Sequence, residues 1–271
     1  MKSPLAAFLI VALLLLTPVP THAAAPDDYV SCWDFEETSG TRLDANRTNS
    51  NDLTDNNTVG SATGIIGNAA DFEAGASEYL SITDADQVGL EPTAAMSLAV
   101  WIKIESQQNA PVIAKDFTGA GDYAYRIGFG GDPLPEPLFT NYVISGTKRT
   151  VLSTAEMNTG AWHYLVSTYD GTTIRTYLNG TADNTGAFSG TISTSTYPVL
   201  FGKHEHVAVY YDGLMDIAEI YDRALDPAEV TALYNGGAGV ACTDRGEAEV
   251  TTTPHSFYSG GTQLSGEGII Q

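Results

Sequence analysis

The chain has 271 residues, and 33 acidic against 12 basic side chains give it a formal charge of −21. A surface so negative repels nucleic acid and anionic lipid, so neither is an expected partner, and it suits divalent cations. Hydrophobic residues make up 43% and charged ones 17%, which excludes an acidic disordered chain, and 14 Tyr with 9 Phe can fill a sizeable core.

In chain order, the N-terminus reads first as an export signal. Lys2 precedes an apolar run from Leu5 to Leu16, Pro18 and Pro20 end it, and Thr21-His22-Ala23 offers a cleavage site. The run is short for ~30 Å of hydrocarbon. No second apolar run follows. Residues 1–23 are therefore expected to be a signal peptide, and the remainder to be secreted, extracellular or periplasmic, and not membrane-embedded. In an oxidising compartment Cys32 and Cys242 should pair, tying the first strand to the segment after the last helix. A loop this long makes the bridge worth about 4–5 kcal/mol by chain entropy.

Nearly every patterned segment then has period two. Segments 29–35, 79–82, 97–104, 123–129, 162–169 and 173–178 alternate and are rich in β-branched and aromatic residues, so they read as strands. Leu98, Val100, Ile102 and Ile104 fall on one face; so do Tyr123, Tyr125, Ile127 and Phe129. Asp170-Gly171 and Asn179-Gly180 are hairpin signals, since both supply residues that accept positive φ. One helix is expected from Asp226-Pro227-Ala228-Glu229, a capping sequence followed by Val230, Leu233 and Tyr234 and stopped at Gly236-Gly237. From Thr243 to Gln271 the pattern fades into a tail or linker. The fold class is all-β: one sandwich over residues 27–242, with a short helix near its end.

These blocks resemble a known family. Trp33, Phe35, Glu37, Ser39-Gly40, Asp44 and Asn51-Asp52-Leu53 are similar to the opening of LamG-like, concanavalin A-type domains. Gly67-Asn68-Ala69, Asp71-Phe72, Tyr79-Leu80, segments 97–102, 162–166 and 173–180, Gly213–Asp216 and Ile220–Leu225 continue the resemblance in order. It implies a two-sheet antiparallel jelly roll with lectin-like, adhesive or structural use, though the same fold also hosts hydrolases and lyases.

A retaining glycosidase needs two carboxylates roughly 5 Å apart, which on a strand means i and i+2 or i+4. Asp216 and Glu219 are three apart and fail this test, as do the adjacent Glu36 and Glu37; Glu219 and Tyr221 share a face. No Gly-x-Ser-x-Gly elbow occurs, and His163 reads as a packed strand residue. No catalytic residue is assigned. Lys203-His204-Glu205-His206 reads as a polar turn; its histidines would face one way on a strand, but no third metal ligand lies within sequence reach. Calcium is the expected cofactor. The resemblance draws attention to Asp44, Asn51 and Asp52 near the first strand and to Asp216 in the last, strands that a jelly roll sets side by side. The expected function is a secreted non-catalytic binding module, for carbohydrate or in adhesion. The alternatives are a structural subunit of an extracellular assembly and, third, a polysaccharide-cleaving enzyme. The expected partner is a glycan or an extracellular protein, and a homo-oligomer fits the same reading.

Overall fold

A computed structural model describes residues 24–106, 110–119, 122–130 and 136–245, with the backbone of 257–259 and 262–264. The expected signal at residues 1–23 lies outside the described residues. Strands β1 Ser31–Trp33, β2 Thr54–Asn56, β3 Gly60–Thr63, β4 Asn68–Phe72, β5 Tyr79–Ile82 and β6 Met96–Ile104 come first. Then follow β7 Pro111–Gly119, β8 Asp122–Phe129, β9 Glu136–Ile144, β10 Thr147–Met157, β11 Trp162–Tyr169 and β12 Thr173–Leu178. Strands β13 Thr181–Ala187, β14 Val199–Phe201 and β15 Gly213–Tyr221 precede the helix α1, Pro227–Tyr234.

Two antiparallel sheets face each other, as a jelly-roll sandwich requires. One has the order β13-β12-β11-β6-β15-β4-β3, with β1 also on β15; the other runs β10-β9-β8-β7-β14-β5-β2. The first and last strands of the sandwich do pair, Trp33 opposite Ala218. Alternation sets what lies between the sheets: Leu98, Val100, Ile102 and Ile104 of β6 meet Tyr125, Ile127 and Phe129 of β8 in one buried core. The Asn179-Gly180 turn takes positive φ at both residues, 51° and 75°, and joins β12 to β13 as a two-residue hairpin.

The outer face of the first sheet is also apolar, because a second layer covers it. Ala99, Trp101, Tyr164, Val166 and Tyr177 pack under Val230 and Leu233 of α1 and under the Cys32–Cys242 disulfide. Trp101 lies against the rings of Tyr164 and Tyr234, 5.0 and 5.5 Å away. The helix forms where its capping sequence places it: Asp226 accepts from the amides of Ala228 and Glu229, and Glu229 accepts from the Asp226 amide.

Two expectations need correction. Asp216 and Glu219 do not face opposite ways. A bulge in β15, with Ile217 at φ 43°, sets Asp216 opposite Trp101 and Glu219 opposite Ala99, so both lie on the outer face. Nor does Tyr123 share the inner face of Tyr125, Ile127 and Phe129: the β7–β8 register shifts beside it, and it packs against His204 and Arg126. Beyond Cys242, Arg245 is buried against Glu219, and 257–259 pairs with 262–264 in a small hairpin.

Candidate functional site

With the first sheet covered outside, the outer face of the second carries the unusual chemistry. On β8, Tyr125, Ile127 and Phe129 point into the core, which turns Arg126 outward. The β7–β8 pairing slips between Lys115 and Asp116, so Asp116 stands opposite Tyr123. Such a slip re-aims side chains and brings Asp116, Tyr123 and Arg126 into one cluster. Arg126 Nη1 donates to the Tyr123 hydroxyl at 2.9 Å, and the guanidinium lies 4.6 Å from the Tyr123 ring and 3.9 Å from that of Phe139.

The loop after β14 folds over this cluster. Lys203 bridges to Tyr210 across its base, and the His204 amide donates to the Val209 carbonyl. His204 stacks edge-on against Tyr123, His206 edge-on against Tyr197. Buried Lys115 fixes Tyr197 by donating to its carbonyl at 2.5 Å, while pairing with Asp84 at 2.8 Å. Beneath the two histidines sits Asp116, 2% exposed. Among the described residues neither of its carboxylate oxygens has a hydrogen-bond donor, and Arg126 Nε has no acceptor. An unpartnered buried carboxylate is costly. Its burial pushes the Asp116 carboxyl up to about 6. Burial likewise lowers His204 to about 4 and Arg126 to about 10.

Of the four residues expected to hold calcium, Asp44, Asn51 and Asp52 are joined by hydrogen bonds, while Asp216 is engaged by another loop. Asp44 is buried, and its two oxygens accept from Ser31 Oγ and from the amides of Cys32, Asn46 and Asn51. Four donors occupy the four lone-pair positions of a carboxylate. Asn51 is spent on Ser31 and on the Val88 backbone, and Asp52 accepts the Asp44 amide. Asp216 turns instead to the loop between β3 and β4, accepting from the amides of Ile65 and Ile66, and burial raises it to about 7. His163 is packed as expected, 3.1 Å from the Asn158 carbonyl. Sequence reading missed a group of three carboxylates, Asp71, Glu73 and Glu105, whose oxygens lie within 4.8 Å of one another. The i, i+2 spacing of Asp71 and Glu73 was the available signal.

Residues 74–231 match the sequence profile of the Concanavalin A-like lectin/glucanases superfamily. Among solved structures the chain is similar to domain 4 of an extracellular GH43 arabinanase from Geobacillus stearothermophilus in complex with arabinotriose. That likeness has a TM-score of 0.60 at 20% identity, over 75% of this chain and 97% of that one. It is also similar to the binding domain of Paraclostridial Mosquitocidal Protein 1, with a TM-score of 0.62 at 14% identity, over 78% of this chain and 52% of that one. A Trypanosoma rangeli sialidase gives 0.60 at 13% identity, over 83% and 36%. The chain thus spans about half of that toxin domain and about a third of the sialidase. No curated protein sequence matches it. At these identities the structural likeness establishes the fold alone.

Proposed function

The chain belongs to the concanavalin A-like lectin/glucanases superfamily, and on that premise we propose that it is an exported, non-catalytic module that binds a neutral carbohydrate at Asp116. One observation carries the reading. Asp116 offers two unpartnered acceptor oxygens, and Arg126 Nε an unpartnered donor, beside the rings of Tyr123, Tyr197, His204 and His206. Sugar hydroxyls need fixed acceptors and donors, and sugar C–H faces pack on rings. His206, whose side chain is 26% exposed, marks the entry. A charge of −21 disfavours acidic glycans. The complex of the arabinanase domain with arabinotriose supports a neutral saccharide as the class.

Export is supported by the apolar run from Leu5 to Leu16 and by the disulfide. Among the described residues no helix is long and apolar enough to cross a membrane. The carboxylates that parity had separated, Asp216 and Glu219, share a face but are engaged by backbone amides and by Arg245, which supports a non-catalytic role for both.

The test is affinity electrophoresis of the mature chain through neutral polysaccharides (arabinan, galactan, β-glucan) and acidic ones (alginate, polygalacturonate). Retardation by at least one neutral polymer and by neither acidic one is expected. Retardation by acidic polymers alone, or by none, overturns the proposal.

A further inference from the structure

The same cluster also has the composition of a metal site. We propose that Asp116, His204 and His206 hold a divalent transition-metal ion of the zinc class. The inference shares its location with the carbohydrate reading but does not depend on it.

Asp116 Oδ2 lies 3.4 Å from His206 Nε2 and 3.9 Å from His204 Nδ1. Ligand atoms about 2.0–2.1 Å from a tetrahedral zinc stand about 3.3 Å apart. The first spacing already fits. The second must shorten by roughly half an ångström, and the two imidazoles, whose centroids stand 6.4 Å apart, must also close on each other, so both rings swing in around the ion. Its Nδ1 now accepts the His206 amide at 3.1 Å, so that nitrogen presents a lone pair rather than a proton.

Charge around the site favours a cation on balance. Asp116 carries both of its oxygens free, and Glu205 adds a second carboxylate to its field. Arg126 is the one opposing charge acting on Asp116 and His204 besides the histidines, and its Nη1 is turned to the Tyr123 hydroxyl. Two imidazoles and one carboxylate are the donor set of transition metals rather than of calcium. A tetrahedral ion held by three side chains would keep a fourth position for water or a ligand hydroxyl. The loop geometry answers what the sequence lacked: the third ligand comes from β7, 88 positions before His204.

The experiment uses the untagged mature chain, stripped with chelator and free of sugar. Zn²⁺ is titrated against a chromophoric chelator, and Co²⁺ is added separately for its visible bands. One Zn²⁺ per chain is expected, with intense tetrahedral Co²⁺ bands. D116N and H206A should each weaken Zn²⁺ by about tenfold or more, while E105Q, in the all-oxygen group, leaves it unchanged. H206A changes a residue on the loop, so it reads the site even if D116N fails to fold. Absence of binding, or loss in E105Q without loss in H206A, overturns the inference. Zinc without any glycan binding would sink only the carbohydrate reading, and glycan without zinc only this one.

Discussion

Arg245 Nη2 donates to Glu219 Oε1 at 2.8 Å, with both side chains 1% exposed. Arg245 Nη1 also donates to the Tyr221 hydroxyl, which in turn donates to Glu219 Oε2. The triad pins the C-terminal end of the sandwich to β15. Breaking a buried ion pair from one side leaves a bare charge and costs about 3–5 kcal/mol. Arg245→Ala should lose that much in urea denaturation. Replacing both Glu219 and Arg245 by Met should lose far less.

The Cys32–Cys242 bridge closes 210 residues. Its removal by Cys32→Ala with Cys242→Ala should cost about 4–5 kcal/mol, since the open unfolded chain regains the closure entropy. Denaturation of the oxidised protein and the double variant measures the difference, and a loss below about 1 kcal/mol would contradict the account.

Asp44 should behave as an internal hub. Asparagine there turns one oxygen into a donor facing other donors, which costs about 2 kcal/mol or more. Asp44→Asn should lower the melting temperature equally with calcium and with EDTA. A calcium-dependent rise in wild type that the variant abolishes would place the ion at Asp44 after all.

Stability should fall as pH rises from about 4 to 7 through Asp216. Burial raises its folded value to about 7, against ~3.9 unfolded. In that window the folded state keeps a proton that the unfolded chain has released, so deprotonation favours unfolding. Asp116, raised to about 6, acts with the same sign. Asp216→Asn keeps an oxygen for Ile65 and Ile66 but removes the ionisation. Its melting temperature should exceed that of wild type at pH 8, with the gap narrowing at pH 5.

Strands with clean alternation were legible in the sequence. Segments 79–82, 162–169 and 173–178 agree with β5, β11 and β12 to the residue. Strand β7 was not legible, because Lys115 and Asp116 interrupt its apolar run and three register shifts break its period. Asp116 therefore carries no local signal that marks it as a neighbour of His204 and His206. Only the pairing of β7 with β14 brings them together, a contact that local pattern does not encode. Parity failed at Asp216 and Glu219 for a related reason, since one bulged residue at Ile217 reverses the count.

The most direct test of the central claim is calorimetric titration of Asp116→Asn with an oligosaccharide of the neutral polymer that retards the mature chain. The variant should keep its fold by circular dichroism and lose about tenfold or more in affinity, because an amide replaces one acceptor oxygen with a donor. A folded variant that binds as tightly as wild type would contradict the assignment of Asp116 as the carbohydrate acceptor.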